Sequence, residues 1–210
     1  MSVLGELQPN KVFKYFEEIC SIPHGSRNLQ QISDYLVDFA KAHGLKYRQD
    51  EDLNVIIWKD GSKGYEASEP VILQGHMDMV AVKEVDCDKD MEKEGLDLEI
   101  NGDYISAKGT SLGGDDGIAV AYTLAVLDDE EMAHPPIEAI FTVNEEIGML
   151  GAATIDVSDL KGRLFMNMDS EDEGVFTVSC AGGASVICKI PYETETVNAS
   201  VIEIKMTGFT

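Results

Sequence analysis

Apolar positions recur along this chain with two periods, one helical and one alternating or continuous. Val12, Phe13, Phe16, Ile19 and Cys20 share one helical face, and Leu29, Ile32, Leu36, Phe39 and His43 share another. The first forty-odd residues therefore predict two amphipathic helices, the second capped by Asn28 and stopped by Gly44. Short β-type runs follow at 54–58 and 71–74, then a charged, irregular stretch over 83–97. Runs at 98–100 and 104–107 flank Asn101-Gly102, a strong hairpin signal. Residues 115–127 are apolar almost all round and predict a buried helix. A β run at 137–143, a short helix at 147–153 and a strand at 164–168 complete the alternation.

Strands alternating with helices predict an α/β fold: a mixed, largely parallel sheet with helices on both faces. The texture changes after Gly182-Gly183, where 185–190 and 200–206 loosely alternate apolar and polar positions. This predicts two domains, 1–182 and 183–210, the second beginning with two strands of a half-exposed sheet.

Composition narrows the function. The 210 residues include 39 acidic and 16 basic side chains, a formal charge of −23. Such a chain repels phosphates and anionic headgroups, which argues against nucleic acid and membrane as partners. With 44% apolar residues it is globular rather than a disordered acidic tail. No apolar run approaches a membrane span, and the start has no secretory character. Cys20, Cys87, Cys180 and Cys188 lack paired spacing and are expected to be free thiols in a reducing cytoplasm.

Three of the expected strands each run into acids or an imidazole. The run at 71–74 leads to His76 and Asp78, 137–143 to Glu145 and Glu146, and 164–168 to Asp169. Ligand crevices of open α/β sheets lie at the carboxyl ends of the strands, so one sheet would gather these groups on one rim. Asp115 and Asp116 open the buried helix after Gly113-Gly114, a fourth acidic entry to the same rim if the strand before them joins the sheet. Clustered carboxylates repel one another and take up protons unless compensated. Stretches 71–80, 110–120, 140–150 and 164–170 contain no Lys or Arg. One or two divalent cations are the economical counter-charge, and an imidazole among carboxylates suits zinc, manganese or cobalt better than calcium.

Each residue has a plainer reading alone. His76 could be a satisfied core histidine that Asp78 holds. Asp115 could be a helix cap, Asp116 a first-turn acid and Asp169 a turn cap. Adjacent Glu145 and Glu146 point differently, so one ligand and one base is the natural division. Their joint placement at strand ends favours a metal site. Asp86, Asp88, Asp90 and Asp97 have calcium-loop spacing, but Met91 stands where the sharp turn needs glycine. No nucleophile elbow or phosphate-binding loop is present.

Five motifs occur in order: LQGHMDMV at 73–80, GTSLGGDDG at 109–117, VNEEIG at 143–148, NMDSEDEG at 167–174 and SCAGG at 179–183. Together they resemble the aminoacyl-histidine (Xaa-His) dipeptidase branch of the di-zinc metallopeptidases, over essentially the whole chain. The resemblance implies a zinc-exopeptidase-like catalytic domain over 1–182 and the start of an α+β lid over 183–210. It implies two Zn2+ ions, with Mn2+ or Co2+ able to stand in. His76 and Asp169 would hold one metal, Asp115 would bridge, and Glu146 would hold the other. Asp78 would orient His76, and Glu145 would be the general base toward the attacking water between the metals. It also implies a cis peptide after Asp115, a small peptide substrate, and a cytoplasmic, homodimeric full-length form. Family members continue through the lid and return to finish the catalytic domain. Ending at Thr210, this chain is expected to lack the last histidine ligand and the lid groups that bind substrate. The alternatives are a related deacylase or carboxypeptidase, or an inactive, metal-poor fragment.

Overall fold

In the computed structural model the described residues are 2–170, 174–179, 182, 186–196, 200 and 202. The chain divides into two units, Met1–Glu173 and Gly174–Thr210; the Gly182-Gly183 boundary expected from sequence lies within the second.

The first unit is built on a five-stranded sheet. Its strands are β1 (Lys46–Gln49), β2 (Val55–Lys59), β3 (Val71–His76), β6 (Ile137–Thr142) and β7 (Leu164–Asn167), in the order β1-β2-β6-β3-β7. β4 (Leu98–Asn101) and β5 (Tyr104–Ala107) form a separate antiparallel hairpin; Asn101 ends β4 opposite Tyr104, so the turn is Gly102-Asp103, one residue past the expected Asn101-Gly102. β6 is central. It pairs antiparallel with β2 from Val55↔Phe141 to Lys59↔Ile137, and parallel with β3 from Val71↔Ile137 to His76↔Thr142. All six of its residues are buried, which is why it reads as a continuous run rather than an alternating one. β7 runs parallel to β3, with Gln74 opposite Asn167. The sheet is thus mixed, as expected, and β3, β6 and β7 deliver their carboxyl ends to one rim.

The helices are α1 (Asn10–Cys20), α2 (Gln30–Ala42), α3 (Gly114–Leu127) and α4 (Leu150–Thr154). The predicted faces are the buried ones: Val12, Phe16, Ile19 and Cys20 in α1, and Ile32, Leu36 and Phe39 in α2. α3 packs on β3 and on α1, and α2 packs on β1 and β2. The core joins these helices, Leu124 of α3 among them, to Val55, Ile57 and Phe141 of the sheet, each essentially inaccessible to solvent.

The structure departs from expectation at several places. Asn28 does not cap α2; Leu29 holds that position, and the Asn28 amide donates to the Glu92 carbonyl at 2.8 Å. β1 is a polar edge strand, Lys-Tyr-Arg-Gln, with no apolar period to announce it. β7 forms where expected but as an exposed edge, with Leu164, Phe165 and Met166 at 59, 54 and 44% exposure. The β run expected over 185–190 has no regular structure at 186–190, and most of 200–206 lies outside the described residues. Alternation sets which face a strand would bury, but only a partner makes it a strand. Among the described residues no helix is long and apolar enough to cross a membrane.

Candidate metal centre

His76 ends β3 and is 1% exposed. Its Nδ1 lies 2.9 Å from the backbone carbonyl oxygen of Asp78. A carbonyl can only accept, so Nδ1 carries the proton of that bond. Nε2 faces Asp115 Oδ1 at 2.9 Å, and in the neutral ring it presents a lone pair there. The residue before His76 must be small. A Cβ on Gly75 would stand 2.9 Å from both Asp116 Oδ2 and Ala119 Cβ, so glycine lets α3 close on β3.

The opening of α3 is not helical at Asp115 (φ −82°, ψ 110°) or Asp116 (φ −115°, ψ 26°), and the peptide between them is cis. The two neighbours diverge. The Asp115 side chain is 59% exposed, while Asp116 is buried and its Oδ2 accepts the His76 backbone N–H at 3.2 Å. Asp116, read from sequence as a first-turn acid, is thus a buried carboxyl group behind the imidazole. The apolar residues around it in α3 were the only signal.

Asp78 has a wider role than expected. Its carboxylate oxygen is 3.6 Å from His76 Nδ1, farther than its own carbonyl. The carboxylate instead accepts the backbone N–H of Glu145 at 3.0 Å and of Glu146 at 3.4 Å, and the Ser26 hydroxyl at 2.8 Å. One residue therefore orients the histidine through its main chain and the two glutamates through its side chain. Ser26 carried no motif in the sequence. It arrives because Gly25 bridges Met79 and because the N–H of Met79 donates to the His24 carbonyl.

The ligand atoms of His76, Asp115 and Glu146 all lie within 4.8 Å of one another. Glu145 Oε2 is 4.0 Å from His76 Nε2. Asp169, just past β7, stands outside that trio but close enough for its charge to raise its neighbours. Asp116 is pushed up to about 7, first by burial, then by the charges of Asp169 and Asp115, against the pull of His76. Glu145 is raised by burial and by Asp169, Asp78 and Asp115. Glu146 is raised by burial, Asp115, Glu145 and Asp78. In both glutamates His76 pulls the other way. Burial alone would depress His76, but Asp78, Asp116 and Asp115 outweigh it and lift the ring to about 10. Asp78 goes the other way: burial is overcome by the His76 ring beside it and by hydrogen bonds from the Glu145 N–H and the Ser26 hydroxyl, and it is lowered.

No Lys or Arg pairs with these acids among the described residues; Asp78, Asp115 and Glu145 have His76 as their ion-pair partner. Without metal, a proton on His76 supplies the positive charge. One nitrogen and several carboxylate oxygens fit a borderline divalent cation. By contrast, the calcium-like spacing is taken up by lysines: Asp90 pairs with Lys93 at 2.8 Å and Asp97 with Lys89 at 3.0 Å. Cys20, Cys87 and Cys188 are free thiols; Cys180 lies outside the described residues.

No family model matches the chain. It is 39% identical over 207 residues to the cytosol non-specific dipeptidase of Escherichia coli (strain K12), covering 99% of this chain and 43% of that protein. Its structure resembles that of aminoacylhistidine dipeptidase from Vibrio alginolyticus (41% identity, TM-score 0.79), over 81% of this chain and 35% of that one. A tripeptidase from Staphylococcus aureus subsp. aureus shares the fold at 24% identity and TM-score 0.65, over 80% of this chain and 45% of that one. The chain spans less than half the length of these relatives.

Proposed function

Because this chain belongs to the family of these aminoacylhistidine and cytosol non-specific dipeptidases, we propose that it carries the metal-binding half of a metal-dependent dipeptidase. The substrate class is small dipeptides, with C-terminal histidine preferred, and the compartment is the cytoplasm. Residues 1–182 are the N-terminal part of the catalytic domain, 183–210 begin a lid, and the full-length form is a homodimer. The observation that carries the reading is the meeting of His76 Nε2, Asp115 and Glu146 within 4.8 Å. Among the described residues no Lys or Arg pairs with these acids.

His76, Asp115, Glu146 and Asp169 are the residues that would hold two divalent ions, zinc first, with manganese or cobalt as substitutes. Such ions supply Lewis acidity, polarising the peptide carbonyl and easing deprotonation of water. The protein supplies the rest. Asp78 fixes His76 in the tautomer that leaves Nε2 free, and sets the direction of both glutamates. Glu145, partly buried and raised among like charges, takes the proton of the attacking water and returns it to the leaving amine. The high negative charge of the chain keeps polyanions away from this rim.

The test is zinc content of the purified chain together with cleavage of a dipeptide panel, with and without C-terminal histidine, by the full-length protein with and without chelator. Expected are bound zinc and chelator-sensitive cleavage that is fastest on Xaa-His. Cleavage that ignores the chelator would refute the metal role, and a chain that takes up no zinc would refute the site.

A further inference from the structure

We infer that Asn54 is a positioning residue for the glutamate loop, holding both ends of 143–151 so that Glu146 meets the metal and Glu145 the water. The inference rests on the metal reading above. Asn54 lies just before β2 and is 1% exposed. Its Oδ1 accepts the N–H of Val143 at 3.1 Å, where the loop leaves β6. Its Nδ2 donates to the carbonyl of Gly151 at 3.3 Å, where the loop re-enters α4. The same Nδ2 donates to Asp50 Oδ2 at 2.8 Å, and Asp50 Oδ1 accepts the Asn54 backbone N–H at 2.8 Å, so the amide itself cannot swing. One side-chain amide thus spans the neck of the loop with every polar atom occupied.

Two independent features show that the loop is held rather than relaxed. Asn144 (φ 53°) and Met149 (φ 55°) are non-glycine residues in the left-handed region. That conformation persists only where surroundings enforce it, and for methionine it is the costlier. Gly151 is the second: a Cβ there would stand 2.3 Å from Asn54 Oδ1 and 2.5 Å from the Val143 carbonyl. The neck is too narrow for any side chain while the amide is in place. Within it the loop closes on itself, with the N–H of Gly151 donating to the Val143 carbonyl at 2.9 Å and that of Met149 to the Glu145 carbonyl at 2.8 Å. Asp78 holds the tip of the loop, and Asn54 holds its base.

The experiment compares Asn54→Ala and Gly151→Ala with Glu138→Gln, a buried substitution at the far end of the same strand. Zinc affinity is read by isothermal titration, the visible spectrum with Co2+, and amide hydrogen exchange over 143–151 without metal. Both loop variants are expected to lose about 10–100-fold in zinc affinity. They should also alter the cobalt spectrum and exchange the Met149 and Gly151 amides about tenfold faster. Glu138→Gln is expected to melt earlier with zinc affinity and cobalt spectrum unchanged. Wild-type affinity in the loop variants, or an equal loss in Glu138→Gln, overturns the inference. A wild-type chain that binds no zinc overturns the metal reading instead. Exchange then still decides the clamp, because unchanged loop amides in Asn54→Ala refute it.

Discussion

The two ends of β6 each carry glutamates, and they meet opposite fates. Glu138, near the amino end, is 3% exposed, and its carboxylate accepts the backbone N–H of Lys161 at 3.0 Å and of Gly162 at 2.8 Å. Glu145 and Glu146, past the carboxyl end, give their own N–H groups to Asp78 while their carboxylates face Asp115 and His76. The first is a carboxylate whose charge the fold has already answered with amide dipoles. The others are left among like charges, with one imidazole between them. A buried or half-buried acid that lacks donors is costly to a fold that has nothing to put beside it. Such acids, gathered at one rim of the sheet, are what the proposed cation site rests on.

The contrast breaks most severely at His76. Replacing it with alanine should lower zinc affinity, measured by titration, beyond the ~100-fold that loss of an outer partner costs. Retained affinity would mean the glutamate end needs no imidazole and differs little from the Glu138 end.

The next largest effect is with pH. His76 holds its proton up to about pH 10 in the metal-free chain, so zinc must displace it. Apparent affinity should rise about tenfold per unit between pH 7 and 9, with one proton released, read by calorimetry in buffers of different ionisation heat. Stability follows the same groups. The folded pKa of His76 is raised, so its contribution is complete below about 6.5 and is lost as pH climbs toward about 10. Asp116 is also raised, to about 7, so ionising it between pH 4 and 7 weakens the fold. Thermal melts of the metal-free chain should therefore decline from about pH 4 to pH 10, and zinc should flatten the decline. Melting temperatures that climb over that window would contradict this account of the site.

At the other end of the strand, Glu138→Gln should cost about 1–3 kcal/mol of stability by leaving backbone donors poorly matched, with zinc affinity unchanged. Denaturant unfolding alongside titration checks both halves. The smallest effect is at Ser26. Alanine there removes one hydroxyl from Asp78, and zinc affinity should fall about fivefold, the worth of one hydrogen bond of ~1 kcal/mol. An effect as large as that of His76→Ala would show Ser26 to be more than a support for Asp78.

Periodicity alone placed the two amphipathic helices, the buried α3 and the strands β3, β6 and β7, because local spacing decides which face an element can bury. It also put His76, Glu145, Glu146 and Asp169 at the ends of those strands, where a parallel sheet collects ligands; Asp115 comes instead from the opening of α3, because the strands before it form a separate hairpin. It could not find the polar edge strand β1, whose existence depends on a partner, nor reveal that β7 would stand exposed. It read Asp116 as a helix-end acid and passed over Ser26 and Asn54, since nothing local distinguishes them. Those residues acquire their roles from chain segments far away in sequence: Asn54 from residues 143 and 151, Ser26 from Asp78, Asp116 from the backbone of His76. Which residues could bind a cation is a matter of chemistry and can be read along the chain. Which residues hold them there, and which acids are left without a donor, depends on hydrogen bonds that exist only once the sheet is assembled.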